Sequence, residues 1–297
     1  MKTFNTILIF LATFISVAAQ ASTSIMYQSV SWSPDGKYLS YTRMEITNSQ
    51  PRKISTDVYV MNADGTAVKK VTGDGINEFG PVWSKDGKRL YFGASAPDSR
   101  DAQIYFVGTD GQGLMQLTSD AGRKGSPAIS PDGKWITYNL TLVERKPQIA
   151  VMRTDGSDQK TLTSDTAIAF YSPVWSPNGK KIVYYVEKGD GKDQIWVMNA
   201  DGSDKKLLTN NIAHNFFPSW SPDGKRIIFT SKRDGAEETT YSMKADGSDV
   251  KPFPGVQGFT ARYSPDGKQM AYIAGKFPET SIMVARADGT GARKVSP

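Results

Sequence analysis

One histidine, His214, and no cysteine stand in a chain of 297 residues, so most side chains that usually carry catalysis are absent. Thiolate chemistry, Cys-ligated zinc and the acylated cysteine of a lipoprotein are excluded outright. The chain also lacks a G-x-S-x-G nucleophile elbow and an H-E-x-x-H metal motif. A Ser-His-Asp triad around His214 remains formally open beside the plainer reading of a surface or packing residue. Carboxylates are abundant and paired, as in Asp155/Asp158, Asp201/Asp204 and Asp246/Asp249. A calcium site needs about six or more converging oxygens, whereas these pairs belong to separate turns and none follows EF-hand spacing. They read as turn residues. No cofactor is expected, a Ca²⁺ ion in a central channel being a family-level option with no residues to attach it to.

The elements that position these groups repeat. Ser33-Pro34-Asp35-Gly36 recurs as Ser84-Lys85-Asp86-Gly87, Ser130-Pro131-Asp132-Gly133, Ser176-Pro177-Asn178-Gly179, Ser221-Pro222-Asp223-Gly224 and Ser264-Pro265-Asp266-Gly267. A second turn follows each: Asp64-Gly65, Asp110-Gly111, Asp155-Gly156, Asp201-Gly202, Asp246-Gly247 and Asp288-Gly289. The second series is spaced 46, 45, 46, 45 and 42 residues apart. Between turns run alternating β-branched and aromatic segments such as Ile182–Tyr185 and Ile195–Met198, the pattern of strands. Pro presets φ and Asp-Gly tolerates a tight reversal, so both signatures are hairpin turns.

Four strands, A to D, in a unit of this length make a propeller blade. The spacing predicts an all-β, six-bladed β-propeller with four antiparallel strands per blade over residues 22–297. The blades fall at about 27–73, 74–119, 120–165, 166–211, 212–256 and 257–297. Strand A of blade one is expected near Gln28, with no strand lent across the ring unless residues 22–27 add an edge. A large side chain precedes the first turn in every unit (Trp32, Trp83, Ile129, Trp175, Trp220, Tyr263) and is expected to pack blade against blade.

Residues 1–21 differ from the rest. Lys2, the apolar run Ile7–Ala19 and the small-x-small Ala19-Gln20-Ala21 form the pattern of a cleavable secretory signal peptide. The run is shorter than the roughly 20 apolar residues of a spanning helix. The expectation is a periplasmic or secreted protein, monomeric, with no membrane insertion after processing. The formal net charge of +6 loses one positive charge with the leader. Its lysines are scattered through turns instead of forming a block, so nucleic acid is not an expected partner.

The units, with Trp32–Lys37 (WSPDGK), Asn199-Ala200-Asp201-Gly202 and the Leu208-Thr209 that ends strand D, resemble the TolB-like propeller repeat family over about residues 28–296. The resemblance implies the fold firmly. The same repeats occur in TolB, in propellers capping prolyl-oligopeptidase-type peptidases and in isolated exported proteins. TolB carries an N-terminal α/β domain and works with a peptidoglycan-associated lipoprotein in the envelope. This chain passes almost directly from leader to first blade and ends at Pro297, so neither that domain nor a hydrolase domain is expected.

The A-B and C-D turns of a blade share one face, and the B-C and D-A loops share the other. Here the first set is uniform and the second varies, from the stretch Met44–Thr56 to the short Gly275–Thr280. Variable loops on a rigid scaffold nominate the second face as the binding surface. The D-A segments bring Glu78, Arg123, Lys124, Tyr171, His214 and Asn215 to the channel mouth, the candidate ligand-binding residues, while Phe79, Tyr171, Phe216 and Phe259 equally suit packing between blades. The function expected is a non-enzymatic module binding an envelope protein or peptide segment, with a glycan as second choice. The alternative is a carbohydrate-active or lactone-cleaving propeller enzyme with a channel metal.

Overall fold

The computed structural model describes residues 22–297 apart from 49–50, 52, 74, 98, 100, 143–145, 190, 211–212 and 236. The expected leader lies outside the described residues. Six four-stranded antiparallel sheets follow one another, each built from consecutive strands in chain order. Blade one consists of β1 (Thr23–Trp32), β2 (Tyr38–Thr47), β3 (Lys53–Asn62) and β4 (Lys69–Lys70). The six-bladed propeller is thus borne out, and no blade borrows a strand. Residues 23–27 form no extra edge strand; they lengthen strand A of blade one, pairing from Thr23↔Thr47 inward.

Six core clusters glue the ring, one at each junction of neighbouring blades. The junction of blades six and one closes like the others. Tyr27, Trp32, Leu39 and Tyr41 pack against Ile273, Ile282, Val284 and Val295, and the Tyr27 amide donates to Thr280 Oγ1 at 2.7 Å. The large residues before the first turn do pack between blades. Three indoles also pin the junctions: Trp32, Trp83 and Trp220 donate Nε1–H to the carbonyls of Arg262, Ser31 and Val174 in the preceding blade, at 3.1, 3.3 and 3.3 Å.

The turn carboxylates are consumed locally. Asp35 Oδ1 accepts from Ser33 Oγ at 2.6 Å and from the Lys37 amide at 3.1 Å, while Ser33 Oγ accepts the Tyr38 amide. The same net recurs at Asp86, Asp132, Asn178, Asp223 and Asp266. The serine hydroxyl, aided by the backbone amide, holds the Asp35 carboxyl below its usual range. The Asp-Gly turns do a second job that turn chemistry does not reveal. Gly111, Gly156 and Gly202, all at positive φ, lie where a Cβ would come within 3.0–3.1 Å of the Val71, Leu117 and Leu162 carbonyl oxygens of the preceding blade. Glycine is required there by close approach as well as by conformation.

Strand A is the inner edge of every blade and carries a β-bulge at one equivalent place. Ser29, Gly80, Ser126, Ser172, Phe217 and Thr260 all take positive φ between 49° and 64°, and the ladder slips there in each sheet. Proline follows in four blades (Pro81, Pro127, Pro173, Pro218), which only an edge or bulged strand tolerates. Two loops expected to be irregular are strands instead. In blade one β2 and β3 pair out to Thr47↔Lys53, and in blade six the hairpin is laddered out to Lys276↔Glu279.

Candidate functional site

The bulge sets what faces the axis. Strand A residues of all six blades enclose a bore of about 380 Å³, lined by Ser29, Gly80, Ser126, Ser172, Phe217 and Thr260 together with residues beyond the bulge in every blade but the fifth. At the loop face a groove of about 960 Å³ runs between blades five and six, bounded by Met26, Phe217, Phe259, Phe277, Glu237 and Lys276 among others. Phe217 borders both spaces, so the groove opens beside the bore. Phe277 sits at the tip of the blade-six hairpin, 67% exposed, and Lys276 Nζ reaches Glu237 Oε1 at 2.5 Å across the groove.

The structure divides the residues that the sequence brings to this mouth. Glu78, Lys124 and Asn215 occupy the same position in three blades, where blades one and four have Tyr27 and Phe170, and all three are fully buried. They do not present themselves to a partner. Lys124 Nζ is caged by the carbonyl oxygens of Asp120, Ala121 and Gly122 at 2.9–3.3 Å, with Asp120 Oδ1 at 3.2 Å. Asn215 donates to the Ala213 carbonyl at 3.0 Å and accepts from Ser231 and Arg233 at 2.9 Å. Both tie down the chain entering strand A. No hydrogen bond of good geometry reaches either Glu78 carboxyl oxygen; burial, and then the Asp57 charge, push its pKa up to about 8, against a smaller opposing effect of the Thr72 side chain.

The outer positions remain accessible. Arg123 is exposed and lies over the Phe79 ring, 5.7 Å from its centroid. His214 Nδ1 pairs with Asp193 Oδ2 at 3.0 Å. Among the described residues no hydroxyl lies within hydrogen-bond reach of its other nitrogen, so the geometry assembles no triad there. Tyr171 is half-buried and stacks on Tyr185 at 5.1 Å; Tyr185 meets Phe217 at 5.9 Å, and Phe217 meets Phe216 at 5.1 Å. Desolvation, and then the Glu187 charge, push the Tyr171 hydroxyl up to about 12, so it is a hydrogen-bond donor across the physiological range. Phe79 leans the other way, filling the space over Gly93 and Gly125. Of the four aromatics, Phe79 is chiefly packing, while Tyr171 and Phe216 join a ring cluster at the mouth.

Sequence reasoning missed Tyr185, Phe217, Phe277 and Arg262. A column-by-column comparison of the six units finds two of them. The bulge column reads Ser, Gly, Ser, Ser, Phe217, Thr, and the column two residues on reads Ser31, Val82, Ala128, Val174, Ser219, Arg262. Each contains one residue out of keeping with its row.

Among the described residues no group of three or more His, Cys, Asp or Glu is placed to hold a metal ion. The bore lining comprises hydroxyls, apolar side chains and one arginine. Its side chains supply no carboxylate for Ca²⁺, which takes several carboxylate or carbonyl oxygens. No helix of the described residues is long and apolar enough to cross a membrane.

Comparison with known proteins agrees with this architecture. Among solved structures, a protein designated TolB from Agrobacterium tumefaciens superposes with a TM-score of 0.67 at 23% identity, covering 90% of this chain and 99% of that one. An oligogalacturonate lyase in complex with manganese gives 0.63 at 13% identity, over 92% and 78% of the two chains. At these identities the likeness is one of fold. Dipeptidyl-peptidase 5 of Porphyromonas gingivalis is 35% identical over 60 residues, 20% of this chain, and the chain matches 9% of that protein's length. The model of the TolB beta propeller domain matches residues 8–190 and 109–297. A match of that extent, on six sheets built around the same turns, makes the chain a member of the TolB beta-propeller domain family.

Proposed function

We propose that the chain is an exported, monomeric, non-enzymatic propeller of the cell envelope that binds an extended peptide segment at its loop face. The observation that carries this reading is the groove between blades five and six. It combines the apolar walls Met26, Phe217, Phe259 and Phe277 with a charged lip, Glu237 and Lys276, and it leads to the bore. A partly apolar cleft with few polar anchors suits a peptide with alternating apolar and charged side chains. The carbohydrate-active alternative draws on the fold shared with a manganese-bound lyase; among the described residues no group of three or more His, Cys, Asp or Glu is placed to hold a metal.

Selection of a displayed peptide library on the purified protein tests the reading. Enriched peptides should lose at least about tenfold in affinity for F277S, which truncates an already exposed side chain and leaves the core intact. Peptides that bind F277S and a Phe217→Ser variant as well as the parent would place recognition elsewhere.

A further inference from the structure

Arg262 is out of place in the ring. It lies two residues beyond the bulge of blade six and lines the bore, where the equivalent residues of the other blades are Ser31, Val82, Ala128, Val174 and Ser219. Among the described residues no other lysine or arginine borders the bore. Among the described residues its side chain makes one hydrogen bond, from Nη1 to the Ala261 carbonyl at 3.1 Å, and no carboxylate pairs with it. Desolvation alone lowers its pKa to about 10, the mark of a cation without a counter-charge. Beside it stands Thr260, whose Oγ1 is buried and has no hydrogen-bond partner. The ring is also asymmetric. Ser31 of blade one lines the bore next to Arg262, while Val82, Ala128 and Val174 form the opposite wall.

We infer that the bore holds a carboxylate, received by the Arg262 guanidinium with hydroxyl support from Thr260. The guanidinium is a flat fork with donors spaced for two carboxylate oxygens, and an anion there supplies the charge that the lining lacks. Water is displaced from a small, partly apolar space of about 380 Å³, so the pair forms at a lower effective dielectric than on the surface. The space admits a free small carboxylate, or a Glu or Asp side chain reaching in from a segment seated at the mouth. The second source rests on the proposed peptide-binding reading and the first does not.

Two probes separate the sources. The first is sodium acetate against sodium chloride at matched ionic strength, read by melting temperature and calorimetry. The second is the pair acetyl-Gly-Gly-Glu-Gly-Gly-amide and its Gln counterpart, read by calorimetry. Acetate should raise the melting temperature of the parent protein, and R262Q should abolish the rise. If the carboxylate comes from a bound segment, the Glu peptide should bind at least about tenfold tighter than the Gln peptide, with the advantage lost in R262Q and reduced in R262K. An acetate response without a Glu preference identifies a free carboxylate. The parent arms stand even if R262Q does not fold. No acetate response and no Glu preference in the parent, or responses unchanged in R262Q, overturns the inference. A mouth that binds no peptide at all leaves the acetate arm intact, so failure of the broader reading shows itself separately.

Discussion

Replacing Glu78 by glutamine should make the protein more stable at alkaline pH and flatten its stability against pH. Glu78 is fully buried, and neither carboxyl oxygen has a hydrogen bond of good geometry, the Thr72 side chain offsetting only part of the burial cost. Burial and the Asp57 charge, itself paired with Lys70 at 2.9 Å, lift its pKa from 4.5 to about 8. Between those values the folded chain keeps a proton that the unfolded chain has released, so stability falls as pH rises. The contribution is fully present below about 4.5 and fully lost above about 8. At about 1.36 kcal/mol per pH unit the loss has a ceiling on the order of 5 kcal/mol. Relaxation and water entry reduce it, and about 2–3 kcal/mol is the working magnitude. Glutamine keeps the shape of the protonated carboxyl and cannot ionise. Urea unfolding at pH 5.5, 7.0 and 8.5 should give converging midpoints for parent and E78Q at the acid end and a gap favouring E78Q at the alkaline end. Parallel profiles, or a parent more stable than E78Q at pH 8.5, would refute the reasoning.

The equivalent position in blade three tests the opposite charge. K124M removes an ammonium from three carbonyls with nothing to replace it, and should cost about 2–4 kcal/mol in urea unfolding and speed hydrogen exchange in residues 119–122. In blade two, G93A drives a Cβ into the Phe79 ring; the strain should cost about 1–3 kcal/mol in the same assay, and F79L combined with G93A should recover part of it.

The blades were legible because turn chemistry, strand alternation and period all point to one architecture, and each signal recurs six times. The site was legible only in outline. Glu78, Lys124 and Asn215 were read as presented because they are polar and vary between blades. Tyr27 and Phe170 in the same column mark the position as interior, and the polar occupants are there to bind the incoming chain or, for Glu78, despite the cost of burying a carboxyl. The bulge is the second reason. It breaks the two-residue alternation inside strand A, so counting alternate residues from the first turn assigns the wrong side chains to the bore. Hairpin length escaped for a related reason: a segment such as Lys53–Thr56 is short and polar, and its partner strand, distant from the turn signatures, decides that it is β.

The indole pins have a consequence for the ring as a mechanical object. Trp32, Trp83 and Trp220 fasten the seams six–one, one–two and four–five. At seam two–three the position is Ile129, at five–six it is Tyr263, and at three–four the Trp175 indole N–H has no partner. Grooves of about 500 and 810 Å³ lie at seams two–three and three–four. The disc is therefore not uniformly clamped. Three of its joints carry a directional indole bond and the other three rest on side-chain packing, so wedging by an inserted side chain meets less directional resistance at those three.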